Sequence, residues 1–230
     1  MSATVKKAPL PLLGFICILP TIQTVVAVHW EWNTTVTYPI LKGLMVVTPV
    51  VVWVALRRTR SEVKDIAGWK RTNFLHGLVL GAAMAGLVLL GYVVIFRHLL
   101  DPSFVLAKVR SLGVLEHYWL MALAISLWNS LLEEYYWRAF IIGELRCWLR
   151  NTWVLCIAGG MLFGLHHAFA LLSICEWPFV VLGALGTMVA GGAWSWMRVR
   201  GYSILDCYVS HVLVDLAIMS VGYDLIRQAR

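Results

Sequence analysis

Hydropathy in long blocks constrains this chain most. Apolar stretches at about residues 10–28, 40–56, 75–96, 115–149, 152–172, 178–197 and 203–221 follow one another with short polar or basic interruptions. Several of them exceed the roughly 18 apolar residues that a helix needs to cross a bilayer. Composition agrees: 60% of residues are hydrophobic and 13% charged, against about 45–50% and 25% in a soluble domain. The expected fold class is therefore an all-α polytopic membrane protein. We expect one transmembrane domain over residues 1–230, a bundle of seven or eight transmembrane helices with a buried polar cavity. Seven spans put the two termini on opposite sides; Arg227 and Arg230 in the tail keep an eighth span open.

The net charge of +7 would suggest nucleic acid for a soluble protein. Here the cations gather at the ends of apolar runs, where topology and anionic lipid account for them. The expected partners are the lipid bilayer and a membrane-anchored substrate, with no nucleic acid. Arg57, Arg58, Arg60, Lys64, Lys70 and Arg71 fill the interruption after the second run, the strongest topology signal in the chain. It puts that loop, and with it the N-terminus behind Lys6 and Lys7, in the cytoplasm. The first run resembles a signal peptide in its first half, but it is too long and lacks a small-x-small cleavage site. It reads as a retained helix, bent or loosened at Pro20. Lys42 reads as a snorkelling side chain at the outer end of the second run. Gly77, Gly81, Gly86 and Gly91 suit close helix packing. Asp101 and Pro102 read as the cap and first-turn proline of a short amphipathic helix on the outer surface. The five cysteines show no CxxC spacing and read as small core residues.

Against this apolar background three segments carry polar residues at helical spacing. Residues 131–138 read Leu-Leu-Glu-Glu-Tyr-Tyr-Trp-Arg, in the middle of the fourth run. Ionisable groups at that depth are costly and mark function by default. Glu134 and Arg138 are i,i+4 neighbours in the favoured order for pairing. Glu133 points about 100° away and stays free for chemistry. Asn129, one turn earlier, is placed to hydrogen-bond Glu133. The fifth run carries Phe163-Gly164-Leu165-His166-His167, with Phe163 and His167 on one face and His166 about 100° from it, in a packing or supporting role. The seventh carries His211-Val212-Leu213-Val214-Asp215, with His211 and Asp215 on one face. Asp206, near a membrane end, reads as an interfacial cap. Buried polar groups need partners, and these are the ones available to one another.

The ordered motifs Glu-Glu-x-x-x-Arg, Phe-x-x-x-His and His-x-x-x-Asp/Asn resemble the CAAX-protease and bacteriocin-processing family of intramembrane endopeptidases. The resemblance covers about residues 120–217, with the motifs inside 116–221; residues 1–115 resemble nothing and read as accessory spans plus the surface helix. It implies a glutamate-dependent protease without a metal. Glu133 with His167 would activate a water, His211 and Asp215 would face the oxyanion, and Glu134 with Arg138 would hold the site together. The substrate would be a membrane-anchored or lipidated peptide. Together with the compact length and basic loops, the resemblance favours a prokaryotic inner membrane. The prenyl-protein branch carries Asn where this chain has Asp215. An ionised Asp only accepts hydrogen bonds, so Asp215 is either protonated or an orienter of His211.

Three other readings stand beside this one. Glu133, His167, His211 and Asp215 could ligate zinc, although the His-Glu-x-x-His pattern common among zinc proteases is missing. Intramembrane acids and histidines also suit a proton-coupled transporter, although no paired halves with matching broken helices are visible. A catalytically silent immunity or scaffold protein of the same fold is the third. The protease reading carries a geometric demand. His167 lies about 15 residues, roughly 22 Å, into its helix. Glu133 shares that depth only if the first turns of a long fourth helix protrude.

Overall fold

The computed structural model describes residues 6–70 and 74–230; Arg71 of the basic loop lies outside them. Among the described residues the regular structure is helical throughout. Six helices are long and apolar enough to cross a membrane, and a seventh long helix runs through their middle. The chain is a polytopic membrane protein.

Helix α1 (Leu10–Thr24) continues through Pro20. Proline lacks the N–H that would bond the carbonyl four residues back. The Tyr136 hydroxyl donates to that carbonyl, on Ile16, at 2.7 Å. The loosening expected at Pro20 comes instead as a π turn at Val25–His29. Helix α2 (Thr34–Ala55) starts six residues before the expected boundary, so Lys42 lies two turns inside it. The basic loop contains α3 (Arg60–Ala67), opened by a Thr59–Glu62 capping box and closed by Gly68 at φ +68°. Arg198 is buried and donates to the Asp65 and Ile66 carbonyls at 3.0 and 2.6 Å. It satisfies two carbonyls that the end of α3 leaves open and ties that helix to the bundle.

Helix α4 (Leu75–Val94) is followed by α5 (Pro102–Ser111), where Asp101 accepts from the Ser103 backbone N–H and Pro102 occupies the first turn, as the sequence suggests. Helix α6 runs without a break through residues 118–145. It alternates ordinary turns (Tyr118–Ala124, Ser130–Glu134, Ile142–Leu145) with wider π turns (Ile125–Asn129, Tyr135–Ile141). Helices α7 (Thr152–Leu171), α8 (Trp177–Val199) and α9 (Ile204–Gln228) complete the chain. Ser203 is the N-cap of α9, and Asp206, three residues on, completes the capping box by accepting from the Ser203 backbone N–H at 3.2 Å. The capping role that the sequence suggests for Asp206 is therefore shared with Ser203.

The second half of α6 is the centre of the bundle. Tyr136, Trp137, Phe140, Ile141 and Ile142 are all but fully buried, packed with Ile16 of α1, Trp53 of α2, Phe163 of α7 and Trp194 of α8. Lipid gives apolar side chains no drive to associate, so close backbone approach matters. A Cβ on Gly81 would lie 2.8 Å from Ser210 Cα of α9, and one on Gly77 would strike the Asp206 carbonyl. Gly86 meets nothing within 4 Å and Gly91 only a distant ring edge. The close packing read along α4 therefore holds for its first half, beside the part of α9 that carries His211.

Polar contacts sort the two ends of the bundle. One end joins Arg58 to Glu144 at 2.9 Å, stacks Lys7 on Trp148 and bonds Lys70 to the Gly201 carbonyl. The opposite end joins Lys108 to Glu31 and Arg97 to Asp224. Tyr118 reaches the Met219 carbonyl of α9 there at 2.7 Å. Glu133 is 15 residues, about 22 Å, beyond Tyr118, whereas His167 is four residues, about 6 Å, from the end of α7. The two are in contact, so the start of α6 extends about 16 Å past α7. The demand that the sequence places on the fourth helix is met.

Candidate active site

Two π turns flank the short stretch Ser130–Glu134. Such wide turns inside helices shift the angular register and recur at functional sites. Here Ser130, Glu133, Glu134 and Arg138 are all buried, facing α7, α8 and α9 at once.

Glu134 is held twice by one oxygen. Its Oε1 lies 3.1 Å from Arg138 Nη1 and accepts from His211 Nδ1 at 2.9 Å. Arg138 donates to the Gly191 carbonyl at 3.3 Å and lies over the Phe163 and Trp194 rings. Trp194 stacks on His211 at 4.2 Å and donates from its indole to Ser210 Oγ. The His211 ring is thus clamped, with Nε2 directed into the site.

Glu133 takes the complementary position. Its Oε1 accepts from Asn129 Nδ2 at 2.8 Å and lies 3.6 Å from His166 Nε2. Its Oε2 has no hydrogen-bond partner among the described residues, and two imidazoles face it: His167 Nε2 at 4.0 Å and His211 Nε2 at 3.8 Å. His167 Nδ1 is 2.9 Å from the Phe163 carbonyl. A carbonyl only accepts, so Nδ1 carries the hydrogen, and the neutral ring presents its Nε2 lone pair to the site. Two acceptors 4.0 Å apart can share one water at hydrogen-bond distance, about 2.8 Å from each.

Asp215 accepts from Ser130 Oγ at 2.6 Å, and its other oxygen lies 3.6 Å from His211 Nε2. The His167 and Asp215 side chains are 25% and 17% exposed, against 6% for Glu133 and none for Glu134 and Arg138. The site therefore opens on the His167–Asp215 side.

Glu133, His167, His211 and Asp215 come together, with Glu134, Arg138, Phe163 and Asn129 around them. His166, expected in a packing or supporting role, lies flat on Trp137 at 5.4 Å and 17°, with its Nε2 3.6 Å from Glu133. Lys42 departs from the expectation: its Nζ donates to Asn129 Oδ1 at 2.7 Å instead of reaching for the membrane edge. A cation well inside an apolar run was the available signal, obscured by the misplaced start of α2. Ser130 and Trp194 were also missed, and no local pattern marks them. Glu133, His166 and His167 could offer one ligand atom each to a cation, all within 4.8 Å of one another.

A family model described as type II CAAX prenyl endopeptidase, Rce1-like, matches residues 115–217. No curated protein and no solved structure matches the chain. The matched stretch begins just before α6 and ends in α9 beyond Asp215, so it contains the three motifs and the helices that bring them together. Over these residues the chain is similar to the Rce1-like CAAX prenyl endopeptidases, a family of membrane peptidases.

Proposed function

We propose that the protein is an intramembrane endopeptidase that hydrolyses a lipidated or membrane-anchored peptide with a water activated by Glu133 and His167. The convergence of two imidazoles on the free oxygen of Glu133 carries this reading. Water between Glu133 Oε2 and His167 Nε2 attacks the scissile carbonyl while Glu133 takes its proton. A carbon–oxygen bond forms, and the carbonyl electrons move to oxygen. His211 Nε2, when the ring is doubly protonated, donates to that oxyanion. The tetrahedral species collapses, the carbon–nitrogen bond breaks, and Glu133 returns its proton to the leaving amine. General-base assistance is worth about 10²–10⁴-fold and one oxyanion donor about 10²–10³-fold. Glu134 and Arg138 hold His211 and take no proton in this scheme.

A buried polar site that opens only on the His167–Asp215 side suits a tail delivered within the bilayer and excludes folded soluble proteins. We orient the chain with its basic end, and so its N-terminus, in the cytoplasm, and assign it to a prokaryotic inner membrane. The test is cleavage of a farnesylated peptide ending in Cys-aliphatic-aliphatic-X by purified protein in bicelles, read by mass spectrometry. Wild type should cut it, and Glu133→Gln should not while keeping its thermal stability. Undiminished cleavage by Glu133→Gln would remove Glu133 as the base.

The proximity of Glu133, His166 and His167 favours one rival, a zinc site. Zinc ligand atoms at about 2.0–2.1 Å from the metal stand about 3.4 Å apart in a tetrahedron. The Glu133 contacts at 3.6 and 4.0 Å are wider than that and suit a bridging water. A chelator should leave cleavage unchanged; a loss restored by zinc would establish the rival.

A further inference from the structure

Lys42 lies eight residues, about 12 Å, inside α2. An intramembrane cation is costly and calls for a partner. Among the described residues its hydrogen bond goes to Asn129 Oδ1 at 2.7 Å, and not directly to a carboxylate. Asn129 in turn donates from Nδ2 to Glu133 Oε1 at 2.8 Å. Tyr38, one turn before Lys42, places its ring 5.8 Å from the same Nζ, within cation–π reach.

The chemistry fixes the direction of this chain of bonds. An ammonium only donates, so the amide must turn its oxygen toward Lys42. Its NH2 then faces Glu133, whose carboxylate accepts. Without the ammonium, the amide oxygen loses its donor and the Asn129 side chain is free to swing away from Glu133. With it, Oε1 of Glu133 is occupied from the α2 side and Oε2 is the oxygen left for His167 and His211.

We propose that Lys42 is a positioning residue of the peptidase site: through the Asn129 amide it fixes the Glu133 carboxylate with Oε2 turned toward the two histidines. Lys42 lies outside residues 115–217, so the first half of the chain completes the site and does not merely surround it. The inference rests on the peptidase reading above.

The experiment measures kcat and KM on the farnesylated Cys-aliphatic-aliphatic-X peptide in bicelles, with the melting temperature of every variant. Misplacing a catalytic group by about 1 Å costs up to about 100-fold. Lys42→Met should therefore lower kcat by about 10- to 100-fold with KM little changed. Lys42→Arg, which also only donates, should recover most of that loss. Asn129→Leu should lower kcat similarly, and Lys42→Met with Asn129→Leu should be no slower than the slower single variant. Full kcat in Lys42→Met overturns the proposal. So does a raised KM with unchanged kcat, which would make Lys42 a substrate-binding cation, and so do multiplicative losses in the double variant. If Lys42→Met does not fold, Lys42→Gln and Asn129→Leu decide by the same criteria. A wild type that cuts no such peptide refutes the peptidase reading itself; an active wild type with an unaffected Lys42→Met refutes only the role of Lys42.

Discussion

Arg138→Met removes a charge that the centre of the bundle is built around. Arg138 and Glu134 are both 0% exposed, with Nη1 and Oε1 3.1 Å apart. Methionine keeps much of the side-chain length, so packing over Phe163 and Trp194 is largely retained and the loss is mainly electrostatic. Glu134 would keep one polar partner, His211 Nδ1 at 2.9 Å. Breaking a buried pair from one side costs about 3–5 kcal/mol, because the remaining charge is uncompensated. At roughly 2–4 °C per kcal/mol for a chain of this size, the melting temperature should fall by about 6–20 °C. Replacing both partners leaves no stranded charge and is often close to neutral. Arg138→Met with Glu134→Gln should therefore recover most of the stability, although not activity, because His211 loses a charged acceptor. The assay is thermal unfolding of the purified variants in one detergent, read by intrinsic tryptophan fluorescence. A single-variant shift under about 2 °C, or a double variant no better than Arg138→Met, would refute the claim that this ion pair holds the site.

His167→Gln should lower kcat by about 10²–10⁴-fold in the peptide assay, and His166→Gln by less, because His166 faces the occupied Oε1 of Glu133. Asp215→Asn should keep activity within about tenfold, since its oxygen can still accept from Ser130 and one hydrogen bond is worth about 1 kcal/mol; a complete loss would give the Asp215 charge a direct part in the reaction. Gly81→Val should destabilise the α4–α9 contact by about 1–3 kcal/mol, seen as a lower melting temperature, because its Cβ would meet Ser210 Cα at 2.8 Å. At the bundle end that carries α5, the Ser103 backbone N–H holds the Asp101 carboxyl below its ordinary value. Its support for α5 is full above the ordinary aspartate pKa of about 3.9 and is lost as pH falls through the lowered one. Hydrogen exchange across α5 should rise only in that acid range.

What was legible in the sequence followed from short-range rules. Spans came from run length, and the cap at Asp101 and the capping part played by Asp206 came from residue type beside an apolar run. Glu133, His167, His211 and Asp215 stood out as polar groups on separate apolar runs, and the resemblance of their motifs to the CAAX-protease family is what singled them out as one set. What was not legible depended on contacts between residues distant in the chain. Arg198 is more than 130 positions from the α3 carbonyls it binds. His166 reaches Glu133 because Trp137, on another helix, gives its ring a face to lie on; a helical wheel carries no such information. Lys42 was misread because the chain reverses tightly at Asn33, with φ at +44°, and α2 starts earlier than hydropathy indicates.

The central claim is that Glu133 activates a water and does not itself attack the peptide. A single turnover of the farnesylated peptide in ¹⁸O-labelled water, with enzyme in excess and the products weighed by mass spectrometry, tests it most directly. Direct attack by water predicts one ¹⁸O in the new carboxylate of every first-turnover product. An unlabelled first-turnover product would contradict the account, because its new oxygen would have come from Glu133.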